Sequence, residues 1–501
     1  MNENLYALIE SRLPADRSAC AIETHDGLYY SWRDLERATS RLAGLLAALA
    51  LPPGSRIAAQ VEKSPEALFL YLAALRAGHV FLPLNTGYRQ AEIDYFVGDA
   101  EPAVIVCAPA NRAWIEPIAR RHRVAHVFTL GDGRDGTLLE AAAGRSDRFR
   151  TAVRKASDLA AILYTSGTTG RSKGAMLSHG NLSSNALVLH HVWRWRAGDV
   201  LLHALPIFHV HGLFVASHGA LLSGSKMIWL PRFDAAEVVR HLPRASVFMG
   251  VPTMYVRLLD SAQFDAKSVR SMRLFVSGSA PLLADTFRQF EARTGHRILE
   301  RYGMSETVML TSNSYDGNRI AGTVGLPLPG VQVRVVDGEG RACSTGEIGG
   351  IEVKGPNVFA GYWRMPEKTR EEFTADGYFR TGDVGRFDAN GYLTIVGRSK
   401  DLIISGGYNV YPKEIESYLD EIDGVLESAV VGVAHRDFGE AVTAVVVPRP
   451  GASLDEAAVI AALKSRIAAF KVPKRVHVVA ELPRNAMGKV QKNELRSRFG
   501  A

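Results

Sequence analysis

Cysteine is scarce in this chain. Its 501 residues contain three, Cys20, Cys107 and Cys343, far apart and in no metal-ligand spacing. That speaks against a disulfide framework or a cysteine-bound metal, and the three read as reduced packing residues of a cytosolic protein. Long apolar runs are missing too. The most apolar stretches, 42–51 (closed by Pro52 and Pro53) and 67–75, fall far short of the roughly 18 residues that a membrane span needs. Both are expected to be buried helices, and no membrane contact is expected. The opening Met-Asn-Glu-Asn-Leu-Tyr lacks the basic start and apolar core of a secretory leader, which points to the cytoplasm. No block of like charge stands out either, since 59 basic against 52 acidic residues leave a thinly spread +7. Nucleic acid is therefore not an expected partner, whereas small anionic ligands are suitable ones. There is no internal repeat, low-complexity tract or long linker.

What is present is ordinary globular composition, 47% hydrophobic and 22% charged, at a length that implies two or more domains. Helical and strand patterns alternate. Ser31 with Asp34 makes a capping box opening a helix to residue 51; 57–61 reads as a strand, 65–78 as a helix and 80–83 as a strand. Further strands are expected at 103–108, 160–164, 200–204, 227–230 and 246–251. Such alternation implies an α/β fold of mainly parallel sheets covered by helices, with ligands at the carboxyl ends of the strands. Near Gly397 the texture changes. A strand over 391–396 runs into Gly397-Arg398-Ser399-Lys400-Asp401, then come residues 402–404, Gly406-Gly407, a helix over 412–419, strands over 428–433 and 441–447, and a helix over 454–470. The expected division is a large domain over 1–397, a hinge at 398–400 and a small α+β domain over 401–501.

One stretch is more informative than any other: Thr165-Ser166-Gly167-Thr168-Thr169-Gly170-Arg171-Ser172-Lys173-Gly174. It follows the apolar run 159–164, which reads as a strand. Its glycines let backbone approach a ligand closely, its hydroxyls and N–H groups suit phosphate oxygens, and Arg171 and Lys173 add positive charge. It is not a Walker A loop, because the spacing runs Gly167, two residues, Gly170, two residues, Lys173. Alone, such a loop is more often a surface turn. Four further motifs decide the matter. They are Ser277-Gly278-Ser279-Ala280-Pro281 after the strand 274–276, Arg301-Tyr302-Gly303-Met304-Ser305-Glu306-Thr307 after 298–299, Tyr378-Phe379-Arg380-Thr381-Gly382-Asp383, and Pro483 followed after four residues by Gly488-Lys489.

Together, in this order and over essentially the whole chain, these motifs resemble the adenylate-forming superfamily of acyl-CoA synthetases, peptide-synthetase adenylation domains and luciferases. Within it the stretches 161–182, 203–214, 250–257, 300–307 and 401–416 are most similar to malonyl-CoA synthetases. The resemblance implies that a carboxylate attacks the α-phosphate of ATP, pyrophosphate leaves, and the thiol of CoA displaces AMP from the acyl-AMP. Charge neutralisation and positioning do most of that work. By resemblance Thr165, Ser166, Gly167, Thr168, Thr169, Gly170 and Lys173 embrace the β- and γ-phosphates. Glu306 holds Mg²⁺; its plainer reading is a surface glutamate at a helix start. Asp383 receives the ribose hydroxyls beside Arg398, Tyr302 stacks on adenine, and Gly278, Ser279 and Ala280 line the base. Gly303, Ser305 and Thr307 complete the nucleotide motif, with Ser305 standing where many relatives have threonine. Lys489 bridges the substrate carboxylate and the α-phosphate. A domain rotation with its hinge at Lys400 exchanges Lys489 for a pantetheine tunnel near Ser405, Gly406, Gly407 and Tyr408. Lys400 is equally well read as a solvated loop lysine.

For the acid, the resemblance points to malonate, with methylmalonate as a secondary substrate. A dicarboxylate needs a short pocket with a cation at its far end, and Arg257 and Arg301 fall in the stretches that line the acyl site in relatives. A guanidinium fork fits a carboxylate bidentately, with Ser279 donating a further hydrogen bond. The alternative for either arginine is an ion pair with an internal acid such as Glu300. His209 and His211 sit where relatives gate the acyl pocket; i, i+2 histidines also suit a metal, but no third ligand is apparent. The other acids left open are short monocarboxylates and aromatic acids. The context of Lys489 further implies a lysine acetyltransferase as a regulatory partner, since acetylation removes the charge.

Overall fold

In the computed structural model, which describes residues 2–165, 172–405, 408–435, 438–464, 466–485 and 488–500, strand periodicity shapes the large domain. Alternate residues of a strand face opposite sides of its sheet. Ile57 and Ala59, Leu201, Met227, Val247 and Met249, and Leu274 and Val276 all enter one central core. Their neighbours Leu202, Ile228, Phe248 and Phe275 enter a second core, and Ala58, Ile105 and Ile162 a third. Two sheets, of nine and six strands, therefore share the central core and are each covered on the other face. Most of their pairings are parallel. The helix Pro65–Ala77 is buried on every side up to Arg76 within that core, which is why its sequence is apolar all round.

Local signals place many boundaries as expected. Ser31 and Asp34 form the capping box of Trp32–Ala48, and Val80–Pro83 and Pro412–Leu419 match their expected bounds. Several bounds shift by a few residues, the helix expected to reach residue 51 ending at Ala48 and the strand expected over 428–433 running Val425–His435, and two further elements differ for reasons the structure shows. The expected strand over 391–396 is Leu393–Arg398, because Gly391, at φ 80°, turns the chain first. The expected helix over 454–470 is Glu456–Lys464, and Phe470 instead stacks on Tyr408 with ring centroids 4.6 Å apart.

A four-stranded antiparallel sheet, Gln332–Val336, Gly349–Lys354, Phe379–Phe387 and Leu393–Arg398, was not legible in the α/β alternation. The chain leaves it at Arg398, makes a 3₁₀ turn at Ser399–Asp401, and enters the small domain's five-stranded sheet at Ile403–Ser405. There Val430, Val442, Ala444 and Val446 face one core and Ala429, Val431, Val445 and Val447 the other. The helix Lys492–Phe499 is tied back by Arg496 on Asp401 and Lys492 on Glu416, both at 2.6 Å. Among the described residues no helix is long and apolar enough to cross a membrane.

Candidate active site

The carboxyl ends of the parallel strands bring most of the chemistry-bearing residues to one edge. Thr165 ends Leu159–Thr165, and Lys173 opens the antiparallel return strand Lys173–Ser178 directly opposite it. These two strands bracket the glycine-rich loop, whose Ser166, Gly167, Thr168, Thr169 and Gly170 lie outside the described residues. Lys173 is buried, with Nζ 3.3 Å from Glu372 Oε1 and 4.2 Å from the centre of the Tyr362 ring.

Arg301, Tyr302 and Gly303 lie within the strand Leu299–Met304, not after it. This strand pairs antiparallel with Val308–Ser312, so Glu306 sits in a tight turn and not at the start of a helix. The turn is held from within and from outside: Met304 N–H donates to Thr307 Oγ1 at 3.3 Å, and Asn357 Nδ2 donates to the carbonyls of Thr307 and Met309 at 2.8 and 2.9 Å. Its backbone is strained, since the β-branched Val308 has φ 53°. Glu306 is buried, and burial raises its carboxyl against the pull of the Tyr362 hydroxyl, which donates to Oε1 at 3.1 Å. Ser305 and Gly303 flank the same turn, half-buried. Tyr362, Asn357 and Glu372 escaped the sequence reading because nothing in their spacing ties them to 306 or 173.

Asp383 and Arg398 are register partners across adjacent antiparallel strands, with Nε 2.9 Å from Oδ1. The Asp383 carboxylate raises the Arg398 guanidinium's pKa. The Tyr302 hydroxyl donates to the other oxygen, Oδ2, at 2.5 Å. Tyr302, Asp383 and Arg398 thus form one group, joining the hairpin to the antiparallel sheet.

The other side of the edge is cationic. Arg301 is only 3% exposed, and its Nε and Nη2 have no partner among the described residues. Its neighbour Glu300 points to the opposite face of the strand and does not pair with it. Burial pushes the Arg301 pKa down to about 9, so the cation persists at neutral pH. His209 and His211 lie in its field. Burial, then the charges of Lys489 and Arg301, push His209 down to about 3; burial, then Arg301, holds His211 well below its usual value. Both are neutral. His211 Nδ1 is 3.4 Å from Ser279 Oγ, and Ser279 has a left-handed φ of 71°. Gly278 is buried and Ala280 half-buried beside it. Of the two candidate arginines only Arg301 is enclosed: Arg257, in the last turn of Pro252–Leu259, is exposed. The described residues contain no group of three metal-ligating side chains, so the histidine pair has no metal companions there.

The small domain supplies Lys489 from a turn in which Gly488 and Lys489 hydrogen-bond back to Asn485. A side chain added at Gly488 would meet Thr253 of the large domain at 3.2 Å. Lys489 is exposed at its surface, yet desolvation by the atoms packed around it, then Arg398, lowers its pKa, while Asp383 and Glu306 oppose that shift. Lys400 is exposed in the connecting turn. Ser405 is buried and Tyr408 is 58% exposed at the surface, while Gly406 and Gly407 lie outside the described residues.

Glu300 has a consequence for stability. Burial raises its carboxyl to about 8. Above the unfolded value near 4.5 the unfolded chain has lost a proton that the folded chain keeps, so rising pH costs stability up to about 8, by about 1.4 kcal/mol per pH unit. Glu300→Gln is expected to remove that slope, and thermal denaturation at pH 5 and pH 8 should show a smaller fall in Tm for the variant than for the parent.

Residues 10–363 match the model of the AMP-binding enzymes and residues 414–489 that of their C-terminal domain. The chain is 37% identical to a malonate–CoA ligase of Arabidopsis thaliana over 88% of its own length and 78% of the relative's. It is 35% identical to a feruloyl-CoA synthase of an Amycolatopsis species over 95% of each. Its fold superimposes on the ATP-bound crystal structure of MatB from Rhodopseudomonas palustris with a TM-score of 0.98 and 57% identity, covering 100% and 99% of the two chains. With both family models matched in order along the chain and relatives at 37% and 35% identity covering most of it, this chain belongs to the adenylate-forming family of AMP-binding enzymes.

Proposed function

We propose that this enzyme is a malonate–CoA ligase, converting ATP, malonate and CoA to malonyl-CoA, AMP and pyrophosphate through malonyl-AMP. One observation carries the choice of acid: among the described residues the buried Arg301 has no carboxylate partner, and Glu300 is turned away from it. Malonate's distal carboxylate fits that guanidinium as a charge-assisted pair, with Ser279 and the neutral His209 and His211 as hydrogen-bonding walls. The exposed Arg257 takes second place. The likeness to a malonate–CoA ligase and to MatB supports the same reading.

Malonate's reacting oxygen attacks the α-phosphorus, and pyrophosphate departs with the bridging oxygen. Lys489 neutralises charge that builds between the two reactants, where a preorganised cation counts most. Asp383 accepts the ribose hydroxyls, Tyr302 and the Gly278–Ala280 backbone take the base, and Thr165 and Lys173 take the outer phosphates with the loop between them. The CoA sulfur then attacks the acyl carbon and AMP leaves, with Lys400 as the hinge and the 405–408 segment guiding the thiol. Glu306 suits Mg²⁺: among the described residues it is one carboxylate without a protein cage, and this ion is commonly held by one or two carboxylates plus substrate phosphates. Bound there, the ion would neutralise phosphate charge, and Glu306, oriented by Tyr362, would hold it.

ATP–pyrophosphate exchange with malonate, methylmalonate, acetate, benzoate and octanoate tests the assignment. Malonate is expected to lead and methylmalonate to follow; silence with malonate alongside turnover of a monocarboxylate would refute it. Lys489→Ala is expected to lower malonyl-AMP formation by roughly 10²–10³-fold while thioesterification of supplied malonyl-AMP proceeds. Tyr362→Phe keeps the ring beneath Lys173 and removes only the hydroxyl on Glu306. The Mg²⁺ concentration needed for half-maximal ATP binding, read by calorimetry, should rise by roughly 10-fold, and Tyr362→Leu should weaken ATP binding at saturating Mg²⁺ as well.

A further inference from the structure

Gly278 directly follows the strand Leu274–Ser277 and carries no left-handed φ, so its backbone would accept any L-residue. Its lack of a side chain answers to something else. A Cβ there would lie 2.5 Å from Arg301 Cζ, 2.6 Å from Nη1 and 2.7 Å from Nε, with the guanidinium supplying all three nearest atoms. Carbon contacts settle at about 3.5–4.0 Å, so a methyl group would push the guanidinium back by roughly 1 Å. The fold itself need not move, because the obstructing atoms are the far end of a flexible side chain. The guanidinium, by contrast, has nothing to pull it back into place, since its Nε and Nη2 make no hydrogen bond among the described residues. The Tyr255 hydroxyl, which feels the guanidinium's charge, donates to the Val276 carbonyl at 2.6 Å.

We propose that Gly278 is a specificity-determining residue: its bare Cα seats the Arg301 guanidinium against the main chain, and this seat makes the acyl pocket select a dicarboxylate over a monocarboxylate of similar length. The inference rests on the proposed malonate activity. A bidentate contact is sensitive to a displacement of this size, and a 1 Å misplacement can cost on the order of 100-fold in rate. A monocarboxylate makes no such contact and loses less. The role differs from lining the adenine, which would affect every acid alike through ATP.

The test is Gly278→Ala in the full-length enzyme, assayed by ATP–pyrophosphate exchange with malonate and with propionate. The ratio of kcat/KM for malonate to that for propionate should fall by about 10–100-fold, mainly through KM for malonate. An equal loss for both acids, or a rise in KM for ATP that accounts for the change, would overturn the proposal. A double-mutant cycle adds a second, independent reading. Arg301→Lys replaces the fork with a slimmer head, so Gly278→Ala should cost malonate activity far less in that background; full additivity would also overturn it. Malonate exchange by the unaltered enzyme separates the two ideas, because its absence refutes the activity itself, whereas its presence with an unchanged ratio in the variant refutes only the role of Gly278.

Discussion

An enclosed guanidinium with no carboxylate beside it is an expensive thing for a protein to build, since removing an ion from water costs several kcal/mol even after relaxation. Among the described residues Arg301 is such a group, and the arrangement around it follows from that constraint. The alternation of the strand Leu299–Met304 sends Glu300 to the opposite face, where burial keeps it protonated and unable to serve as a counter-charge. The histidines on the arginine's side stay neutral because burial and the guanidinium itself oppose their protonation. Positive charge is therefore left unbalanced on this side among the described residues, as the proposed pairing with a substrate carboxylate requires.

The side carrying Asp383, Glu306 and Lys173, proposed to take the nucleotide, is built on the opposite plan, with each of these charged groups already partnered. Asp383 has Arg398 and the Tyr302 hydroxyl, Glu306 has the Tyr362 hydroxyl, and Lys173 has Glu372 and the Tyr362 ring. Charged groups held by partners keep their geometry before a ligand arrives, which is the condition for electrostatic stabilisation without reorganisation at the moment of reaction. Tyr362 joins two of these pairs, so Lys173 and the buried Glu306 share one support. Lys489 stands between the matched and unmatched regions, in the field of Arg301 on one side and of Asp383 and Glu306 on the other.

Much of this was legible in the chain. Capping at Ser31, apolar runs at 80–83 and 200–204 and the charged stretch at 398–401 sufficed for the two-part α/β plan, because each reflects a local preference of backbone or burial. The glycine-rich loop and the Arg-Tyr-Gly stretch were visible as patterns. The antiparallel sheet that carries Asp383 was not, since its strands alternate irregularly and pair over long loops. Nor was the tight turn at Glu306, whose form depends on Asn357, some fifty residues away and joined to it by side-chain hydrogen bonds.

Residue identity and spacing determined which groups this protein has for handling phosphate and carboxylate, because a guanidinium, an ammonium or a carboxylate keeps its chemistry wherever the chain takes it. Tertiary structure decided which of them are matched and which are left unmatched. Glu300 and Arg301 are adjacent in the chain and could have paired; strand pleating separates them, and the bare backbone of Gly278 lets the guanidinium settle where no acid among the described residues reaches it. Desolvation and pairing are properties of three-dimensional surroundings, so they arise only once sheets from distant parts of the chain have closed around the side chain.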